Sequence, residues 1–358
     1  MKKKEIPENP FSNRLAAFSA KLKRRRIAFA LVHGEANLKG LIGFGCDNGC
    51  LMVPGDDSAQ AEFYTDFRYI PAAKREAPWV KTFDFSKFDA RRLTAAAKSC
   101  CRQVKVKIGF ESSVPASRYL ELSKMFGRCE LVDVEKDLLL LRAVKTPAEI
   151  AKVAAAAALN DEIWRQVRAE IRPGMTEKDI QKLIRAYMNA LGDGEAFETI
   201  VCVGANAAEC HHVPDGTVWR RGDPLLVDMG VKLDGYCSDM TRCVNAPGDI
   251  HALVLKANRE AVAAVKPGIT GKELDAVARK IIRKAGYGKY FGHALGHGVG
   301  LEIHEAPVAS SRSDTVLKPG MIVTVEPGVY LEGKAGVRIE DLVLVTADGH
   351  QVLTSSCR

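Results

Sequence analysis

Apolar residues in the first part of the chain recur with two alternating periods. Leu15, Phe18 and Leu22 fall three and four apart among charged neighbours, which puts them on one face of a helix over Asn13–Arg25. Arg91–Cys101 and Ala116–Phe126 carry helical patterns as well. Between them, Ile27–Val32, Cys50–Val53, Glu62–Tyr69 and Val104–Phe110 are short runs that predict strands. This alternation predicts a small α/β domain over residues 1–142.

The pattern then changes. Thr146-Pro147-Ala148-Glu149 sets a capping Thr, a Pro at the first helical position and a Glu at the third. An Ala-rich helix is expected from there to about Ile171, stopped by Pro173-Gly174. A second domain is therefore expected over residues 143–358. It contains a weak repeat. Pro173-Gly174-Met175-Thr176 precedes Asp179-Ile180, and Pro267-Gly268-Ile269-Thr270 precedes Glu273-Leu274, with a constant offset of 94 residues. Each copy sits between two helical patterns, and each second helix runs to a glycine, Gly192 or Gly286. Strand-rich segments follow both copies. Two related halves would enclose a cleft.

Composition narrows the class. Of 358 residues, 47% are hydrophobic and 27% charged, so the chain is globular rather than disordered. No apolar run is long enough to span a membrane. Lys2-Lys3-Lys4 is followed by Pro7-Glu8-Asn9-Pro10 where an export signal would be apolar. The ten cysteines are scattered without a CxxC pair, as in a reducing compartment, so the cytoplasm is expected. Cys46 and Cys50 are two thiols, too few for a metal site of their own. Residues 1–145 carry 27 Lys+Arg against 17 Asp+Glu, a basic excess that raises nucleic acid as a partner. Its densest run, Lys21–Arg26, reads more simply as the solvated end of the first helix.

The chemistry lies in acids set among apolar residues. Asp228 ends the run Leu225–Val227, and Asp239 follows in Tyr236–Arg242. His293, His297 and His304 lie in a glycine-rich stretch. Glu326 follows Met321–Val325, and Glu340 follows Arg338-Ile339. A lone acid of this kind is usually a turn or cap residue. Four buried carboxylates in one cleft would repel each other and take up protons. Two divalent cations would balance them, and oxygen ligands with one imidazole suit Mn²⁺, Co²⁺, Fe²⁺ or Zn²⁺. Arg338 and Glu340, two apart, are expected on one face of a strand.

The blocks VDMG, GYCSDMTR, GHGVGLEIHEAP, VTVEPGVY and GVRIEDLVLV resemble, in order, those of the creatinase-like (pita-bread) metallopeptidases, of the Xaa-Pro aminopeptidase and Xaa-Pro dipeptidase (prolidase) type. The resemblance implies an α/β (α+β) chain, a small N-terminal domain before a duplicated pita-bread catalytic domain. It implies that Asp228 holds one metal, that His297 and Glu326 hold the other, and that Asp239 and Glu340 bridge them. Mn²⁺ is the first choice, with Co²⁺, Zn²⁺ or Fe²⁺ as substitutes. A metal-bridging water or hydroxide would be the nucleophile, with Glu326 accepting its proton. His304 would bind or protonate the reacting amide. His211, His293, Arg338 and Phe197 would face the substrate, and His211 would also serve catalysis. Where the family has Pro-His, this chain has Cys210-His211-His212, so His212 competes with His211 for that place. Val308 and the segment Asn37–Phe44 also depart from the family pattern.

The implied reaction is hydrolysis between an N-terminal residue and proline, as an Xaa-Pro aminopeptidase, with Xaa-Pro dipeptidase as the alternative. A metal-dependent lyase or small-molecule hydrolase of the same fold, or a binding protein that has lost its ligands, stands further off. A homodimer is implied, and neither a membrane nor nucleic acid is expected as a partner.

Overall fold

The structure, a computed structural model, describes residues 10–56, 60–100 and 105–358. The chain divides into two compact units, Met1–Arg142 and Ala143–Arg358.

The first unit is built on a six-stranded mixed sheet. In spatial order its strands are Lys81–Asp84, Glu62–Thr65, Gly49–Pro54, Phe29–Val32, Lys107–Phe110 and Glu130–Asp133. The helix Ser12–Arg24 buries Phe18 and Leu22, two of the three residues that predicted it. At the helix end, Lys21 and Arg25 both pair with Asp137, which neutralises part of the basic run. Cys46 and Cys50 are buried in different apolar clusters. The strand expected over Glu62–Tyr69 stops at Thr65. Asp66 accepts from the Arg68 amide at 2.9 Å, and this local bond turns the chain out of the sheet. Asn37–Phe44 lies largely in a helix, Glu35–Ile42, closed by Gly43 at φ 79°. The expected ends at Cys101 and Val104 fall outside the described residues.

The second unit repeats one plan twice. Helices Pro147–Glu170 and Glu177–Leu191 pack on the sheet of Ile200–Val203, Leu225–Met229 and Met240–Val244. Helices Gly248–Ala264 and Gly271–Lys284 pack on a five-stranded sheet that includes Gly296–Gly298, Ile322–Val325 and Asp341–Val345. Val201, Val227 and Met229 form one core with Ile180, Ile184 and Met188. Val323, Val325 and Val343 form the other with Leu274, Ala278 and Ile282.

Equivalent polar contacts support the duplication. Thr146, Thr176 and Thr270 each close a reciprocal capping box with Glu149, Asp179 and Glu273. The Gly174 and Gly268 amides donate to the carbonyls of Trp219 and Leu317, each at 3.0 Å. Asn160 Nδ2 bonds the Met229 carbonyl at 2.9 Å, as Asn258 Nδ2 bonds that of Val325 at 3.0 Å. The two terminal glycines differ in cause. Gly286 takes φ 88°, whereas Gly192 is extended and lies so close to Lys232 that a Cβ would sit 2.7 Å from its carbonyl oxygen.

Among the described residues, no helix is long and apolar enough to cross a membrane.

Candidate metal centre

The acids come from equivalent strand ends in the two halves. Asp228 lies on Leu225–Met229, and Asp239 immediately precedes Met240–Val244. Glu326 follows Ile322–Val325, and Glu340 immediately precedes Asp341–Val345. His297 is the middle residue of Gly296–Gly298, which pairs antiparallel with Ile322–Val325. A Cβ on Gly296 would overlap the Thr324 carbonyl oxygen, so the strand next to His297 needs glycine to pack that closely.

Asp239, His297 and Glu340 each present a ligand atom, and these atoms all lie within 4.8 Å of one another. His297 Nε2 is 3.5 Å from Asp239 Oδ2 and 3.4 Å from Glu326 Oε1, longer than a direct hydrogen bond. His297 Nδ1 lies 3.1 Å from the Gly298 carbonyl. A proton on Nδ1 satisfies that oxygen and leaves the Nε2 lone pair facing two carboxylates. Burial pulls the His297 pKa down to about 4, so the ring is neutral. Lone pairs converging in this way fit a cation between them.

The carboxylates give the same result. Asp239 and Glu340 are pushed well above the usual carboxylate range, first by burial and then by their acidic neighbours. Burial lifts Glu326 to about 8, against the opposing pull of Arg338. Asp228 Oδ1 is buried without a hydrogen-bond partner. One guanidinium does not balance four clustered acids, of which Asp239 and Glu340 are buried and Asp228 and Glu326 are half-buried. Two divalent cations would, and the residues present fit them.

Arg338 ties several of these groups together. Its Nη2 donates to Asp228 Oδ2 at 2.7 Å, its Nε to Thr241 Oγ1 at 3.0 Å, and its Nη1 to the Tyr330 hydroxyl at 3.0 Å. Thr241 in turn donates to Glu340 Oε2 at 2.7 Å. Arg338 and Glu340 thus reach one hydroxyl, although the expected continuous strand is interrupted between them at Ile339-Glu340. Tyr330 lies 2.9 Å from His293 Nε2, while His293 Nδ1 faces the Ala294 carbonyl at 2.8 Å. The Tyr330 hydroxyl therefore accepts from Arg338 and donates to His293. Burial first, then Arg338, lowers the His293 pKa to about 4.

The remaining expected residues are placed as follows. The ring of His304, an exposed residue, stands edge-on to His297 with centroids 4.4 Å apart. Phe197 packs its ring onto Gly230, just beyond Asp228. His211 is exposed. His212 is 8% exposed, and its Nε2 bonds Glu177 Oε2 at 2.8 Å. The geometry therefore occupies His212 elsewhere and leaves His211 open to the solvent. Val308 is an exposed residue paired in register with His297.

Sequence reasoning missed Tyr330, Thr241 and Thr324. Thr324 Oγ1 accepts from the His297 amide and donates to Glu326 Oε1, both at 3.0 Å. Alternation held a signal: Thr324 and Glu326 are two apart at the end of the strand Ile322–Val325, and Gly328 and Tyr330 are two apart in the strand Gly328–Leu331.

The model of the metallopeptidase family M24 matches residues 151–347, and that of the creatinase/prolidase N-terminal domain matches residues 14–144. A protein named Xaa-Pro dipeptidase from Pyrococcus furiosus is 38% identical over 322 residues, 87% of this chain and 88% of its own. A structure described as Xaa-Pro dipeptidase from Bacillus anthracis superposes with a TM-score of 0.88 at 33% identity, covering 97% of this chain and 98% of that one. A structure described as X-Pro aminopeptidase from Thermotoga maritima gives 0.82 at 32% identity, covering 96% and 98%.

Proposed function

Because this chain belongs to metallopeptidase family M24, we propose that it hydrolyses the bond between an N-terminal residue and proline, foremost as an Xaa-Pro dipeptidase. The convergence of Asp239, His297 and Glu340 on one point, with Glu326 and Asp228 beside them, carries the hydrolytic reading. The Pyrococcus and Bacillus relatives support the dipeptidase over the aminopeptidase that the sequence alone favoured. The Thermotoga neighbour keeps the aminopeptidase as the second reading.

Asp228 would hold one cation, His297 and Glu326 the other, and Asp239 and Glu340 both. Mn²⁺ is proposed as the native ion. When bound, such a pair lowers the pKa of water and stabilises negative charge on the scissile carbonyl oxygen. The chain's own groups then move protons and orient the peptide. The Glu326 carboxylate accepts the proton of the attacking water. The Xaa-Pro nitrogen bears no hydrogen, so it must gain one to leave, and His304 Nε2 or Nδ1 supplies it. His211 and His293 hold the substrate side, with Arg338 and Tyr330 fixing the His293 ring and Phe197 lining an apolar wall.

A homodimer in the cytoplasm goes with this reading. Among the described residues, eight cysteines are free thiols, Cys46, Cys50, Cys202 and Cys237 among them, which suits a reducing compartment. Light scattering on the purified protein tests the dimer.

The deciding experiment assays Xaa-Pro dipeptides, Xaa-Pro tripeptides and peptides without proline in the presence of Mn²⁺. Cleavage confined to dipeptides is the expected result. Equal cleavage of tripeptides would make the protein an aminopeptidase, and cleavage without regard to proline would overturn the specificity.

A further inference from the structure

Two buried carboxylates outside the metal centre each tie down the chain around one histidine, Glu177 directly and Asp275 together with Arg279. Glu177 is the first residue of the helix Glu177–Leu191 and is fully buried. Its Oε1 accepts from the Val203 amide at 2.6 Å and from Asn206 Nδ2 at 2.9 Å. Its Oε2 accepts from the Asp215 amide at 2.9 Å and bonds His212 Nε2 at 2.8 Å. The other ring nitrogen of His212 is 3.2 Å from Glu209 Oε2. One carboxylate therefore gathers four points of the segment 203–215, and His211 is the exposed histidine within it. From the other side, Arg338 Nη1 donates to the Cys210 carbonyl at 3.4 Å.

The second half has a counterpart. Asp275, on the helix Gly271–Lys284, is 1% exposed. Its two oxygens accept from Arg279 Nε at 2.7 Å and Nη2 at 2.8 Å, and Oδ1 also accepts from the Leu295 amide at 3.2 Å. Arg279 passes the constraint on, donating to the carbonyls of Phe291 and His293 at 2.8 Å each. His293 is thus bracketed by the Asp275–Arg279 pair, Arg279 at residues 291 and 293 and Asp275 at residue 295.

Each half therefore uses the second helix of its pair to hold the histidine-bearing segment. Buried acids with every bond satisfied can serve folding alone. Here the bonds are concentrated around two histidines, and a ligand loosely held by an ångström loses much of its effect.

Resting on the substrate reading above, we propose that Glu177 and Asp275 are positioning residues that fix His211 and His293 for an Xaa-Pro peptide. Their influence on the reaction passes through those two histidines and not through the metal ligands.

Double-mutant cycles on the Mn²⁺-loaded protein test this, with Ala-Pro as the probe and kcat, KM and metal content as readouts. His211→Ala and Glu177→Ala are each expected to raise KM on the order of 10-fold, with metal content unchanged. The double variant should fall within about 2-fold of His211→Ala alone. Asp275→Asn against His293→Ala should behave in the same way. Should Glu177→Ala fail to fold, His212→Leu replaces it in the cycle, with His212→Gln expected to recover most of the loss by keeping a donor towards Glu177. Multiplicative effects in the cycles, loss of metal in Glu177→Ala, or an unchanged KM in both Glu177→Ala and His212→Leu would each overturn the proposal. An unchanged KM in His211→Ala would instead overturn the substrate reading beneath it.

Discussion

Arg338 and Asp228 are joined by a 2.7 Å bond between Nη2 and Oδ2, with both side chains largely withdrawn from solvent. The remaining guanidinium nitrogens are committed to Thr241 and Tyr330. Replacing Arg338 by Ala leaves a buried carboxylate uncompensated, and the metal-free protein should lose about 3–5 kcal/mol at neutral pH. Arg338→Lys restores a charge but not the three-way fork, so it should recover only part of that loss. Urea unfolding of the chelated proteins measures both, and a Lys variant as stable as the parent would refute the fork.

Metal removal should abolish hydrolysis of an Xaa-Pro peptide, and Mn²⁺ or Co²⁺ should restore it. In Asp239→Ala, metal and activity should be lost together, because Asp239 is among the three residues whose ligand atoms converge. Elemental analysis beside the assay decides the point; two metals retained in that variant would exclude a bridging role.

Stability should depend on pH in a direction set by the raised carboxyls. Asp239 and Glu340 lie well above their usual range and Glu326 at about 8, each chiefly through burial. Groups raised in the folded state bind protons there that the unfolded chain has released, so their stabilisation is complete at low pH and is lost as pH rises through the folded values. Metal-depleted protein should therefore lose thermal stability from about pH 5 to pH 8. Saturation with Mn²⁺ should flatten the trend. A Tm series with and without chelator checks this, and equal slopes would contradict it.

Gly328 faces the Tyr330 ring so closely that a Cβ would overlap its hydroxyl. Gly328→Ala should displace Tyr330 from Arg338 and His293 and cost about 1–3 kcal/mol by overpacking. Unfolding gives the stability, and kcat/KM for an Xaa-Pro dipeptide reports the displaced histidine. Parental values for both would show that the strand yields without moving Tyr330.

The acids of the centre were legible because each interrupts an apolar strand pattern, where a carboxylate has no reason to be unless something pairs with it. Thr146 was legible as a cap because a capping box lies within four residues. The helix Glu35–Ile42 was not, since its sequence mixes Gly and Asn with apolar residues and its N-terminus is secured by Glu111, far along the chain. The strand ending at Thr65 was read too long because Phe67 and Tyr69 continue the alternation that Asp66 breaks.

The sequence by itself determined what depends on near neighbours: the caps, the helical faces, the repeated half and the identities of the acids and histidines. Tertiary structure decided what depends on residues far apart. It joined Asp228 to Arg338 and Thr241 to Glu340 across the two halves. It also separated His211 from His212, because Glu177, on a helix 35 positions earlier, claims the second ring. Two adjacent histidines look alike to any local rule. Only a partner brought near by folding makes one a fixed prop and leaves the other free to meet a ligand.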